Sequence, residues 1–187
     1  MRNKQYYHDL WQKLIVNQQT LVEAKSIADK IKANANQYES VSLVTKVPVN
    51  VIGLIHNMEC GLSFHSHLHN GDPLTGKTIH YPAGRPTTGT APFAWSDSAV
   101  DALRFDEFDK VTDWSIENTL KVLELYNGAG YSNLGFNSPY LWSGTNHYVS
   151  GKFIEVWNKD KGRYISTYNP AEISKQIGCA AILKQLQ

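Results

Sequence analysis

The chain has 187 residues, 42% of them hydrophobic and 19% charged, with 18 Lys and Arg against 17 Asp and Glu. This is the composition of one folded domain long enough to bury a core without disulfide or metal staples, which excludes a disordered chain and a disulfide scaffold. A formal net charge of +1 without long runs of one sign leaves no electrostatic footprint for nucleic acid.

The opening Met1-Arg2-Asn3-Lys4-Gln5 is basic but runs into a mixed segment, not into the apolar stretch of a secretory signal. The longest apolar runs are broken by Pro48, Asn50, Cys179 and Lys184 and fall short of the roughly 20 residues of a membrane span. Between residues 6 and 46, Leu10, Leu14, Leu21, Ala24, Ile27, Ala28 and Ile31 recur at helical spacing, which predicts two or three short helices. Pro48 stands where a first helical turn tolerates a missing N–H. Ile52, Ile55 and Glu59 follow at steps of three and four, predicting a helix that ends near Gly61.

Over 62–90, His65, His67 and His69 alternate with Ser66 and Leu68, Asn70-Gly71-Asp72-Pro73 signals a turn, and Thr78-Ile79-His80-Tyr81 is β-prone. A small hairpin or ribbon is expected there. Helical patterning returns over 96–105, over 115–126 with Asp113 as N-cap, and over 170–186. With no internal repeat and no linker, these elements predict a single domain over 1–187 of the α+β class, mostly helical, with one small β ribbon after the Glu59 helix. Cys60 and Cys179 fit no zinc or redox spacing and read as two buried free thiols.

Glu59 shares a helical stripe with Ile52 and Ile55 and lies at the negative end of the helix dipole. Burial and dipole both favour its neutral form, as a general acid requires, whereas a glutamate at a frayed helix end simply faces water. Asp72 comes 13 positions later and Thr78 six after that, so a folded-back ribbon would bring both opposite Glu59. There a carboxylate would stabilise positive charge or orient water, and a threonine hydroxyl would position that water. Asn-Gly-Asp-Pro is equally ordinary turn chemistry, in which the aspartate caps its own backbone.

The stretch Ile55-His56-Asn57-Met58-Glu59-Cys60-Gly61-Leu62-Ser63-Phe64 resembles the helix end that carries the catalytic glutamate in the lysozyme-like superfamily, especially goose-type lysozymes and soluble lytic transglycosylases. Leu123-Glu124-Leu125-Tyr126-Asn127-Gly128-Ala129-Gly130 resembles the Tyr-Asn-Ala-Gly motif of those families, and Thr145-Asn146-His147-Tyr148-Val149 their downstream Tyr-Val element. The Asp72 to Thr78 spacing is similar to that of phage-type lysozymes. The run from His67 to Leu74 with Pro82-Ala83-Gly84-Arg85-Pro86 after it resembles a pattern in phage and bacterial lysozyme-like proteins. The likeness covers roughly residues 47–153, with the three motifs in family order. The transglycosylase signature Gly-Leu-Met-Gln is absent after the glutamate, and Gly128-Ala129 reverses the usual order, which leaves hydrolase and transglycosylase both open.

The resemblance implies a lysozyme-like fold that cleaves the β-1,4 bond between N-acetylmuramic acid and N-acetylglucosamine, with Glu59, Asp72 and Thr78 as catalytic residues and no cofactor. It also implies Asn127 on the substrate and Tyr126 or Tyr148 supporting Glu59. His69 and Tyr81 are candidate cleft residues, Trp142 is the candidate sugar-stacking ring, and Arg85 is a candidate ligand for a stem-peptide carboxylate. Two other readings stay open: a zinc amidase or peptidase using His65, His67 and His69, and a glycan-binding module without turnover. The expected partner is the peptidoglycan glycan strand, met by a monomer with neither nucleic-acid binding nor membrane insertion. Action at the bacterial cell wall without a signal peptide implies cytoplasmic storage or a non-classical release route, holin-assisted or particle-associated.

Overall fold

The computed structural model describes residues 2–187. It is α+β and mostly helical, with one two-stranded antiparallel hairpin. Three helices come first: α1 (Lys4–Gln12), α2 (Gln18–Ala33) and α3 (Ala35–Thr45). Helix α4 (Val49–Cys60) follows, then a long loop, α5 (Trp95–Phe105), a 3₁₀ turn at Phe108–Lys110, and α6 (Ile116–Tyr126). The short α7 (Gly130–Asn133) and α8 (Pro139–Trp142) lead to strands β1 (Lys152–Asn158) and β2 (Arg163–Asn169), and α9 (Cys179–Leu186) closes the chain.

Helix α4 is the centre of the molecule. Pro48 flanks its start in extended conformation and Gly61 ends it in the left-handed region at φ 57°, a conformation glycine adopts without a Cβ penalty. Val51, Ile52, Leu54, Ile55, His56 and Met58 are buried, so the helix is apolar nearly all round, as a helix enclosed by others must be. It packs against α2, α3 and α9. Gly53 permits the close approach to α2, because a Cβ there would lie 2.4 Å from Ile31 Cγ2. The charged Glu124 of α6 is also buried. Arg2 Nη1 donates to it at 2.9 Å and the Tyr7 hydroxyl donates to its other oxygen, which ties α1 to α6.

Residues 62–94 hold no strand or helix, and this corrects the placement of the ribbon at 62–90, though not the expectation of one small hairpin in a mostly helical fold. A single β-bridge joins Ser66 and Pro73. The cause lies in the loop's own side chains. Asp72 Oδ2 accepts the N–H groups of Ile79 and His80 at 2.8 and 2.9 Å, and Asn70 Nδ2 donates to His80 O, so side chains satisfy backbone groups that a ladder would have used. Burial follows the same logic, since His67, Leu68 and His69 are all buried where a half-exposed strand would alternate.

The hairpin is instead β1 and β2, paired in register from Lys152↔Asn169 to Asn158↔Arg163. Phe153 and Tyr168 face each other across it and pack on Tyr131. The terminal helix is also shorter than expected, beginning at Cys179 and not at 170. The preceding residues spend their donors elsewhere: Ser174 N–H on the Tyr148 hydroxyl at 3.1 Å and Gly178 N–H on Ser143 O at 2.9 Å. Asp113 lies two residues before the Ser115 that flanks α6, and its Oδ1 accepts the Ser115 N–H. Among the described residues no single helix is long and apolar enough to cross a membrane.

Candidate active site

Glu59 occupies the last turn of α4, just before the left-handed Gly61 swings the chain away. It opens on a groove of about 270 Å³ lined also by His69, Tyr81, Pro82, Phe105, Asp106, Tyr126, Asn127 and Tyr140. Five elements supply these residues: the C-terminal ends of α4, α5 and α6, the 62–94 loop, and α8. Asn127 and Tyr140 also line a second hollow of about 380 Å³ that runs to Lys152 and Phe153 on β1, Ser166 on β2 and Gln176. The two hollows share a wall, with Glu59 in the first and the hairpin flanking the second.

The electrostatics of Glu59 follow from this setting. Burial pushes its carboxyl up to about 7, and the negative charge of Asp106 acts in the same direction. The Tyr140 hydroxyl, which donates to Oε1 at 3.4 Å, and the neighbouring Tyr126 hydroxyl oppose the shift without cancelling it. Both tyrosines are themselves raised well above the ordinary phenol range, mainly by burial, and so stay neutral donors. Asp106 caps the end of α5 and stands at the groove's rim. The surrounding protein raises it to about 6, with Arg85 pulling the other way.

Aromatic rings and an amide complete the surface. Tyr81 is 84% exposed, and its ring meets that of Phe105 edge-on at 6.4 Å, giving the groove an apolar shelf of the kind on which a pyranose face rests. Arg85 lies over the Phe105 ring, 4.9 Å from its centroid. Asn127 ends α6 with its side chain exposed and without a hydrogen bond among the described residues, leaving both its donor and its acceptor to a ligand.

Of the residues singled out in the sequence, the structure thus brings Glu59, His69, Tyr81, Tyr126 and Asn127 to one groove. The others stand elsewhere. Asp72 is buried inside its loop, where burial pushes it up but the hydrogen bonds from His80 and Ile79 prevail and hold it down at about 2. Thr78 is buried beside it, its hydroxyl donating to Pro82 O and accepting the Arg85 N–H at 2.9 Å. Both organise the loop that carries His69 and Tyr81.

Trp142 corrects the stacking expectation: it has 0% of its surface exposed, and Tyr81 with Phe105 supplies the apolar shelf in its place. Tyr148 is buried away from Glu59, donating to Gly151 O and accepting the Ser174 N–H. Arg85 grips Asp101 with two bonds of 2.8 Å, so its guanidinium is already occupied by a carboxylate. Asp106 and Tyr140 escaped sequence reasoning. The signal for Asp106 was the end of a predicted helix, and for Tyr140 only its place beside Trp142 in Pro139-Tyr140-Leu141-Trp142.

The three alternating histidines do not converge. His65 is exposed, and both ring nitrogens of His67 are taken, by Ser98 Oγ and Gly76 O, each at 2.7 Å. No group of three or more His, Cys, Asp or Glu suited to a metal ion occurs among the described residues. Cys60 and Cys179 are free thiols, and burial pushes both up, Cys60 to about 12, which keeps them protonated and unreactive at neutral pH. Neither a protein-family model, nor a curated protein, nor a solved structure matches this chain.

Proposed function

We propose that the chain cleaves the glycan strands of peptidoglycan at the β-1,4 bond between N-acetylmuramic acid and N-acetylglucosamine, with Glu59 as the general acid. The observation that carries this reading is Glu59 itself: a carboxyl on the buried end of a helix, raised to about 7, facing a groove with an aromatic shelf and a free amide. The substrate class comes from the motifs around Glu59, Asn127 and Tyr148 that resemble lysozyme-like enzymes.

The chemistry needs two groups with opposite duties. Protonated Glu59 gives its proton to the glycosidic oxygen as the bond to the anomeric carbon breaks. Asp106, the second carboxyl of the groove and the less strongly raised at about 6, stabilises the positive charge or draws a proton from the attacking water. Tyr140 and Tyr126 keep the Glu59 carboxyl aimed at the groove, and Tyr81 with Phe105 holds a sugar ring on the shelf. The target places the activity at the bacterial cell wall, with the protein acting as a monomer without a cofactor.

The test is mass spectrometry of the soluble products released from insoluble peptidoglycan by wild-type protein and by Glu59→Gln. Reducing-end muropeptides from wild type alone are the expected result. Anhydro ends would turn the hydrolase into a lytic transglycosylase, in which the sugar's own 6-hydroxyl replaces water. Cut stem peptides on intact glycan, or no soluble product, would overturn the reading.

A further inference from the structure

The β1–β2 hairpin presents one face that begins in the second hollow and ends in water. Side chains alternate along a strand, so Phe153, Glu155 and Trp157 of β1 share that face with their cross-strand partners Tyr168, Ser166 and Tyr164. At its base Phe153 and Tyr168 pack on Tyr131, and Phe136 stacks on Tyr168 with ring centroids 5.0 Å apart. Phe153 N–H donates to the Tyr131 hydroxyl at 3.0 Å, and a Cβ on Gly130 would stand 3.2 Å from Phe153 Cε2, so the hairpin sits close against α7. Phe153 and Ser166 line the hollow that shares Asn127 and Tyr140 with the Glu59 groove.

The far end of the face is different. Trp157 is 50% exposed and Tyr164 63%, their rings packed edge-on at 5.2 Å, about 13 Å along the strand from Phe153. The base pair of rings already anchors the ribbon, whereas this second pair leaves large apolar surface in water beside a groove, as surfaces that receive a ligand do.

Two features identify the ligand. The face is continuous with the hollow beside Glu59, so a polymer leaving the groove past Asn127 and Tyr140 meets Ser166 and then the two rings. The hairpin is also basic, with Lys152, Lys159, Lys161 and Arg163 against Glu155 and Asp160. Flat apolar rings suit pyranose faces, and exposed cations suit the acidic groups that a muramic glycan carries on alternate sugars.

We propose that this face is a second binding platform for the glycan strand cut at Glu59: Trp157 and Tyr164 stack on sugar rings several units from the scissile bond, and Lys159, Lys161 and Arg163 at the tip meet acidic groups of the strand. This inference rests on the glycan reading of the groove. Trp157 and Tyr164 are binding residues remote from the reacting atoms. Tethering the strand at two places raises the affinity for long strands, a gain that an oligomer too short to reach the tip does not receive.

The test is NMR of the nitrogen-labelled full-length Glu59→Gln protein, which does not turn over, titrated with glycan strands stripped of their stem peptides. The indole N–H resonance of Trp157, assigned by its loss in Trp157→Phe, is expected to move on saturation. Trp157→Thr and Tyr164→Thr, which keep β-branched residues in the strands, are each expected to weaken strand binding about tenfold, so that the advantage of strands over a tetrasaccharide shrinks. Saturation with the indole unmoved, or both variants binding strands as tightly as their parent, would overturn the inference alone. An indole that moves only with strands still carrying stem peptides would give the surface to the peptide and overturn it as well. Strands that move the indole but are never cut by wild type would take down the reading of Glu59 and support that of the hairpin. No binding of strands at all would take down both.

Discussion

Glu59 and Asp106 enter one groove from the C-terminal ends of two different helices, α4 and α5. Each therefore faces the negative end of a helix dipole as well as a partly dry wall, and each carboxyl is raised, Glu59 to about 7 and Asp106 to about 6. Under the proposed glycan cleavage, the higher value suits Glu59 to the acid's duty and the lower suits Asp106 to that of its ionised partner. At a pH between them the first still holds its proton and the second has lost its own.

The rate of glycan cleavage should accordingly pass through a maximum between about pH 6 and pH 7, falling on the acid side as Asp106 protonates and on the alkaline side as Glu59 ionises. Asp106→Asn removes the like charge that helps to raise Glu59, so its alkaline limb should move to lower pH. A pH profile of kcat/KM for both proteins on soluble glycan checks this, and an unmoved alkaline limb would separate the two carboxylates.

Glu59 should weaken the fold as it ionises. Its folded value, about 7, lies above the ordinary 4.5, so the native state holds the proton more tightly than the unfolded chain, and stability falls as pH rises from about 4.5 to about 7. Glu59→Gln, which cannot ionise, should be more stable than wild type by ~1–3 kcal/mol at pH 8 and no more stable at pH 4. Urea unfolding at the two pH values measures the difference.

Asp72 has the opposite sign. Its folded value, about 2, lies below the ordinary 3.8, so its contribution is fully present at neutral pH and is lost as pH falls from about 4 to about 2. Asp72→Ala leaves the N–H groups of Ile79 and His80 without their acceptor and should cost about 2 kcal/mol at pH 7. Denaturant titration together with hydrogen exchange across 66–85 is the measurement, and faster exchange should be confined to that loop.

Gly178 stands where α9 meets α8, and a Cβ there would lie 2.6 Å from the Leu141 carbonyl oxygen and 2.7 Å from Ser143 N. Backbone atoms cannot swing aside as a side-chain tip does, so Gly178→Ala should destabilise by ~1–3 kcal/mol. Gly61→Ala should cost less, roughly 1 kcal/mol, because its left-handed backbone at φ 57° is strained but nothing lies within 4 Å. Thermal unfolding of the two variants side by side tests that ranking.

The sequence by itself determined the elements whose signals are local. Pro48, the apolar stripe through Ile52 and Ile55, and Gly61 defined α4 and put Glu59 at its end, because caps and helical periodicity act over a few residues. The α6 end at Tyr126 and Asn127 was legible for the same reason. Only the tertiary structure decided the rest. The 62–94 loop has the turn and β-prone residues of a ribbon, yet backbone donors at Ile79 and His80 go to Asp72, and His67 and His69 are buried against α5, a choice set by partners distant in sequence. The hairpin formed at 152–169, where Phe153 and Tyr168 find Tyr131. Asp106 and Tyr140 reach Glu59 only because α5 and α8 pack around the end of α4. No spacing along a chain encodes a wall built by five elements. Its burial, and with it the raised carboxyl of Glu59, exists only once they meet.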